Sequence, residues 1–132
     1  MSMTLAKTRD RLFSSRISEE EARLRRDLAA CYRLVALYGW DDMLATHISA
    51  RLPKEDGKEC FLINPLGLMF DEITASSLIK VAMDGEILQE TPYEVNRAGY
   101  VIHSGVLGAR PDVNCAIHLR EHPLFGAACR AV

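Results

Sequence analysis

The clearest hydrophobic pattern in the chain lies between Ser18 and Gly39. Apolar residues recur there at spacings of three and four, as on one face of a helix: Leu24, Leu28, Cys31, Val35 and Tyr38. Ser18 followed by Glu21 has the spacing of a capping box, and Gly39 can end a helix in the left-handed conformation. The pattern therefore predicts an amphipathic helix with its stripe in the core, and Trp40 as an anchor at the core edge.

The period changes to two at Thr46, which is typical of a strand. Up to Leu52, apolar side chains are expected on one face and His47, Ser49 and Arg51 on the other. A polar loop over residues 53–59 leads into a second predicted strand, 60–63. A sharp turn through Asn64-Pro65-Leu66-Gly67 follows.

The second half of the chain predicts two strands, 79–83 and 86–88, joined by Asp84-Gly85, after a single helical turn at 74–77. Asn96 can cap a second helix that runs to about Ala109. Its inward residues are expected to be Ala98, Val101, Ile102 and Val106. Its three glycines, Gly99, Gly105 and Gly108, imply close packing on the sheet or a backbone-lined site. A buried strand, 113–117, then delivers His118 at its C-terminal end, where ligands usually lie in α/β sheets.

This order of elements predicts a largely antiparallel sheet with helices against its faces. At 132 residues the chain is long enough for one domain, expected over residues 17–132, with residues 1–16 as a flexible arm.

Net charge, hydrophobic runs and cysteine positions reduce the number of protein classes to consider. The net charge is −2 and no basic stripe is present, so nucleic acid is not an expected partner. Neither a signal peptide nor an apolar run long enough for a bilayer is visible, so no membrane partner is expected. Three of the four cysteines, Cys31, Cys60 and Cys115, lie in apolar runs and are predicted core residues. These features favour a cytoplasmic protein.

With these elements placed, the chain resembles the class II aldolase/adducin family over roughly Ser18 to His118. The matching motifs are Gly39-Trp40-Asp41-Asp42, His47-Ile48-Ser49-Ala50-Arg51, Phe61 to Leu68, Ile73 to Leu78, Val81 to Gly85, Asn96 to His103, and Arg110 through His118. The His-Ile-Ser and Asn-Arg-Ala-Gly variants are more similar to the adducin-type branch than to the sugar-phosphate aldolases.

The resemblance implies an α/β fold, a three-layer α/β/α domain with a mixed, largely antiparallel central sheet, truncated here in its C-terminal part. It also implies a homo-oligomer with its site near a subunit interface. In the aldolases, three histidines hold a Zn²⁺ ion that polarises the carbonyl of a small, often phosphorylated substrate. A glutamate carries the proton.

Carried over by residue, His118 matches the first zinc ligand, whereas the second ligand position is Arg120, which has no lone pair for a metal. The third ligand position lies beyond Val132, and His122 is a possible substitute. Gly99 replaces the proton-carrying glutamate.

In the turns that bind the substrate phosphate, Gly67 is retained. His47 stands where the aldolases carry asparagine, and Arg97 where they carry serine. A His47/Arg97 pair could hold an anion. His103 is expected to be a hydrogen-bonded structural residue.

A competing motif, H-x-x-E-H from His118 to His122, is that of inverted zinc peptidases. It needs both histidines on one helical face, whereas a strand runs into His118 and Pro123 follows His122.

The resemblance is expected to stop after His118, which an early stop after a frameshift would explain; downstream nucleotide sequence in another frame would then encode the rest of the domain. The first function hypothesis is a degenerate zinc aldolase (aldehyde-lyase) domain without turnover. The alternatives are an adducin-type binding or oligomerisation module, or an enzyme completed by His122 or a neighbouring subunit.

Overall fold

The computed structural model describes residues 17–42 and 45–119. The predicted arm, Arg120 and His122 lie outside these residues. Within them, the order of elements is helix, hairpin, strand, helix and strand, whereas a second hairpin was predicted in place of the single strand.

The first helix, α1, spans Glu19–Leu37. Ser18 caps it, since its side chain accepts a hydrogen bond from the Glu21 backbone N–H at 3.1 Å. The Glu21 carboxylate does not complete the predicted capping box; it binds Arg25 and Lys80 instead. Gly39 has a φ of +66°, as expected for the residue that ends the helix.

The predicted stripe of α1 is confirmed at Leu28 and Val35, which are buried. It is wrong at Tyr38, which is exposed and stacks on a half-exposed Trp40, so Trp40 is not a core-edge anchor. Tyr32 is the aromatic residue that α1 buries completely. Its hydroxyl accepts hydrogen bonds from the backbone N–H groups of Ile48, in the second element of the chain, and of Asn64, so this polar group is satisfied in the core.

Two antiparallel strands, β1 (His47–Glu55) and β2 (Lys58–Ile63), form the centre of the sheet. The predicted loop between them is shorter than expected because the hairpin closes over only Asp56 and Gly57. Both have positive φ, as a two-residue hairpin turn requires. The predicted alternation in β1 is confirmed, with Ile48 and Leu52 on the opposite face from His47 and Ser49.

The third strand, β3 (Ile79–Ala82), pairs with β2. Its predicted hairpin partner is reduced to an isolated bridge between Val81 and Ile87. The predicted helical turn at 74–77 is a hydrogen-bonded turn, in which Thr74 and Ser77 bond to each other's backbone and side chain. A short 3₁₀ helix lies just before it, at Phe70–Glu72.

The second helix, α2, spans Arg97–Ala109, and the Asn96 side chain caps it by accepting from two backbone N–H groups. Its predicted inward face is wrong. The buried residues are Gly99, His103 and Leu107, whereas Val101, Ile102 and Val106 are 57%, 51% and 43% exposed. The face of α2 that packs on the sheet carries Gly99 and His103, which meet His47 and Ser49 of β1. The pattern of apolar residues in α2 therefore did not identify its buried face.

The last strand, β4 (Cys115–His118), pairs antiparallel with β1 and lies at one edge of the sheet, whose order is β3-β2-β1-β4. The prediction that this strand is buried is therefore wrong, and so is the core position of Cys115. Both Cys115 and Ile117 are exposed.

The layers are nevertheless those expected, because α1 and α2 cover opposite faces of the sheet. One core cluster joins α1 to Ile48, Leu52 and Leu62, and the other joins α2 through Leu107 to Phe61 and Ile63. All three strand pairs in the described part are antiparallel. Within residues 17–42 and 45–119, none of the helices has the length and apolarity needed to cross a bilayer.

Candidate functional site

Three histidines from three elements meet between the sheet and α2. His47 of β1 and His118 of β4 are direct partners in the antiparallel register, so their side chains lie on the same face. Their ring centroids are 6.3 Å apart with planes inclined by 20°. His103 of α2 lies edge-on to His47, with centroids 5.9 Å apart. We call these three residues the histidine cluster.

His103 is held in place by β1. Its Nδ1 atom lies 2.6 Å from the Ser49 hydroxyl oxygen, and the side chain is almost fully buried. Burial, followed by the neighbouring His47 and His118, lowers the pKa of His103 to about 4. His103 is therefore a neutral, hydrogen-bonded residue at pH 7, which confirms the structural role predicted for it.

The His47 ring packs directly on Gly99. A Cβ atom at position 99 would lie 2.6 Å from His47 Cδ2 and 2.8 Å from Nε2, closer than such atoms can approach. Glycine is thus the residue that fits here, and the imidazole fills the space where a side chain at position 99 would begin. The close packing predicted from the glycines of α2 is real at Gly99, but nothing lies within 4 Å of a Cβ at Gly105 or Gly108.

Three ring nitrogens of the cluster are buried without a hydrogen-bond partner among the described residues. They are Nδ1 and Nε2 of His47 and Nδ1 of His118. Burial, and then the proximity of His118, lowers the pKa of His47, so its ring is neutral near pH 7. Buried polar atoms are almost always satisfied in folded proteins, and the lone pair of a neutral imidazole binds either a proton donor or a metal ion.

The other predicted site residues lie around the start of α2. Gly67 has a φ of +88°, and its turn is held beside the segment leading into α2 by the Pro65–Val95 bridge. Arg97 is the first residue of α2 and is exposed. No hydrogen bond joins Arg97 to either ring nitrogen of His47 in the part of the chain described, so an anion held by both residues stays a prediction.

Arg120 and His122 fall outside the described residues, so their predicted roles stay predictions. β4 does end at His118, and the first histidine of the H-x-x-E-H motif therefore lies on a strand and not on a helix. Among residues 17–42 and 45–119, no group of three or more histidine, cysteine, aspartate or glutamate side chains is arranged to hold a metal ion.

Sequence reasoning found His47 and His118 but not their direct pairing, and it did not place His103 beside them. Two signals were present. The alternation in β1 put His47 and Ser49 on one face, and Gly99, His103 and Leu107 share the i, i+4, i+8 spacing of one helical face. The larger apolar side chains of α2 concealed that second signal.

The fold and the site together define the class of this protein. It is an α/β protein with three layers and a histidine-lined site between the sheet and the second helix. The family is given by comparison: residues 26–131 match the model of the class II aldolase and adducin N-terminal domain. The chain therefore belongs to this family. The match continues past His118, so the predicted loss of resemblance after that residue is wrong.

Relatives come from both branches of the family. A Pseudomonas aeruginosa protein provisionally named an aldolase class 2 protein is 54% identical over 116 residues, covering 88% of this chain and 44% of that protein. Mouse alpha-adducin is 46% identical over 114 residues, covering 85% of this chain and 15% of its own length. The chain thus spans less than half the length of these relatives.

Solved structures agree. An aldolase II superfamily protein from Pseudomonas syringae is 49% identical, with a TM-score of 0.77, covering 82% of this chain and 43% of that chain. The L-fuculose 1-phosphate aldolase from Glaciozyma antarctica is 36% identical with a TM-score of 0.68, covering 75% of this chain and 40% of that one. The fold is therefore that of the class II aldolases. The chain covers less than half of each of these two solved chains.

Proposed function

We propose that this chain is a degenerate class II aldolase domain that binds zinc and a small carbonyl compound at the histidine cluster without aldol cleavage. The observation that carries the proposal is the contact between His47 and Gly99. In the aldolases that the chain resembles, position 99 carries the proton-transferring glutamate. Here the position has no side chain, and an imidazole occupies the adjoining space.

The residues present fit a zinc ion in part. His118 corresponds to a zinc ligand of the family, and its buried Nδ1 atom has no partner among the described residues. Neutral imidazole nitrogen is a common zinc ligand. Arg120, at the second ligand position, cannot bind the metal. Bound zinc would polarise a carbonyl oxygen, so retained ligand binding is compatible with lost turnover.

Each of the described side chains at the site would then have a separate role. His118 would hold the metal, while the hydrogen bond with Ser49 fixes His103 behind His47 and burial keeps the His103 ring neutral. The Gly67 turn, beside the start of α2, would receive the polar or phosphorylated end of the substrate. No described carboxylate lies at position 99 to move a proton, so the bond-breaking step lacks its acid–base group.

The test is an aldol cleavage assay with the purified chain, zinc and a panel of sugar phosphates, including L-fuculose 1-phosphate. We expect no release of aldehyde above the metal-only rate, while bound zinc is still detected by elemental analysis. Cleavage that requires His118 would contradict the proposal and favour an enzyme completed by His122 or a neighbouring subunit.

A second candidate is an assembly module, and the exposed apolar face of α2 favours it. Val101, Ile102 and Val106 form a row of exposed aliphatic side chains on one helix. Some relatives are named adducins, which marks the other branch of the family. A homo-oligomer that uses this face needs no metal.

A cytoplasmic location and a small-molecule partner stay predictions from the sequence.

A further inference from the structure

His47 is buried and His118 is half-buried, and their two side chains lie on the same face of the sheet. Three of their four ring nitrogens are buried without a hydrogen-bond partner among residues 17–42 and 45–119. His47 is only 4% exposed, and both of its ring nitrogens are buried. The fourth nitrogen of the pair is Nε2 of His118. Leaving a buried polar group unsatisfied costs about 1–3 kcal/mol. A neutral imidazole has one nitrogen with a free lone pair, so a single ion between the two rings would bind one nitrogen of each and remove part of this cost.

We propose that His47 and His118 together bind one divalent transition-metal ion, with His47 supplying the ligand that Arg120 cannot. This inference deepens the proposed function, since it names a second zinc ligand for the same site. It assigns the role to a residue on β1, whereas the family motif places its first two ligands at the end of the strand that corresponds to β4.

The backbone favours a shared ion. His47 and His118 are directly opposite in the β1–β4 register, so the sheet fixes the distance between their Cα atoms. Two imidazoles on one zinc ion, with Zn–N bonds of about 2.0–2.1 Å, have centroids roughly 5–6 Å apart. The observed 6.3 Å needs a closure of about 1 Å, which side-chain rotation can supply.

Gly99 and His103 are the neighbours of the His47 ring in this arrangement. Gly99 supports its ring on the α2 side, where an added Cβ would collide with it. His103 is not available in the same way, because its Nδ1 is bonded to Ser49. His103 therefore packs edge-on behind the pair as a positioning residue.

Two protein ligands leave coordination positions open on an ion that prefers four. Catalytic zinc sites keep such positions for water or substrate. The pair would therefore bind zinc more weakly than a three-histidine site, and would leave room for a carbonyl or carboxylate oxygen of a small ligand.

The experiment measures metal binding by the full chain after treatment with a chelator. Zn²⁺ is titrated by calorimetry, and Co²⁺ by the visible absorption of its bound form. The variants are His47→Asn and His118→Ala, with His122→Ala to test the tail. The matched control is Cys115→Ser, which removes a possible metal ligand from the opposite face of β4. Circular dichroism checks that each variant is folded.

We expect one ion per chain, a loss of affinity of at least tenfold for both His47→Asn and His118→Ala, and a change of less than about threefold for Cys115→Ser. If a variant does not fold, the wild-type chain still decides the question. Co²⁺ should then broaden or shift the ring resonances of His47 and His118 before those of His103.

Two results would overturn the inference while leaving zinc at His118 intact. One is a loss that follows His118 but not His47. The other is a loss that follows His118 and His122 together. Absence of binding at millimolar metal would overturn both this inference and the metal part of the proposed function. Aldol cleavage by a chain that binds zinc through His47 would contradict only the proposed lack of turnover.

Discussion

Gly99 and His47 share one space, so neither can be changed without regard to the other. We predict that Gly99→Ala destabilises the chain by about 1–3 kcal/mol, because overpacking forces the His47 ring or α2 to move. The matched control is Gly105→Ala on the same helix, where nothing lies within 4 Å of the new Cβ. There alanine should stabilise by up to about 1 kcal/mol, as its helix propensity is higher. Urea unfolding of both variants measures the difference.

The same contact can be tested from its other side. In a His47→Ala background the obstacle is gone, and Gly99→Ala should then become neutral or stabilising. Double-mutant cycles detect this kind of coupling between neighbouring residues. Equal effects of Gly99→Ala in the two backgrounds would show that His47 is not what excludes a side chain at position 99.

The buried His103 should make stability depend on pH. Its pKa is about 4 in the folded chain, with burial as the main cause, whereas an unfolded histidine has a pKa near 6.5. Below pH 6.5 the unfolded chain gains a proton that the folded chain does not bind. Stability is therefore lost as the pH falls from about 6.5 towards 4, by roughly 3 kcal/mol in total.

Urea unfolding at pH 7 and pH 5, in the presence of a chelator, measures this dependence. The variant His103→Gln carries no titrating ring, so its loss of stability between the two pH values should be clearly smaller. An identical loss in both proteins would assign the pH dependence to other groups.

At the scale of elements, Tyr32 connects α1 to the sheet. Its hydroxyl accepts from the N–H of Ile48 at 2.9 Å and of Asn64 at 3.2 Å, and it lies 2.8 Å from the Asn64 side-chain oxygen. Tyr32→Phe leaves these buried groups of Ile48 in β1 and of Asn64 after β2 unsatisfied. We predict a loss of about 1–3 kcal/mol in the free energy of unfolding.

Tyr38→Phe is the control, because that ring is exposed at the end of the same helix. Its effect should be within about 0.5 kcal/mol. If both variants were equally stable, the Tyr32 hydroxyl would not hold α1 to the strands.

Elements were predictable where local chemistry determines them. Ser18, Asn96 and Gly39 lie at helix ends for reasons contained in a few residues, and all three predictions are confirmed. The faces of α2 were not predictable in this way. A hydrophobic stripe identifies the whole buried face only when that face meets an apolar core. Gly99 and His103 of α2 meet His47 and Ser49, and Leu107 is the one buried residue of this helix that packs in an apolar cluster.

The candidate site was likewise predictable only where neighbouring residues in the sequence determine it. Alternation in β1 was enough to place His47 and Ser49 together, and the strand before His118 was visible as an apolar run. Pairing β1 with β4, and the contact of His47 with Gly99, depends on residues far apart in the sequence. Local patterns carry no such register, and only the assembled sheet defines it.

At the scale of the whole molecule, the outer face of α2 is the feature that bears on assembly. We predict that the double variant Val101→Asp, Val106→Asp reduces the molecular mass in solution measured by light scattering, because charges oppose burial of this face in an oligomer. Ala30→Asp, at an exposed position of α1, adds a charge elsewhere and should leave the mass unchanged. A mass unaffected by the double variant would remove this face from the interface.

The position of β4 also has a consequence for the speed of folding and unfolding. β1 and β2 meet through a two-residue turn, whereas β2, β3 and α2 all lie between β1 and β4 in the sequence. Closing the longer loop costs more entropy, so β4 should join the sheet after the main barrier has been crossed. Contacts made late in folding slow unfolding without accelerating folding. An ion held between His47 and His118 would therefore lengthen the lifetime of the native chain and leave its refolding rate unchanged, a difference that stopped-flow kinetics with and without zinc can measure.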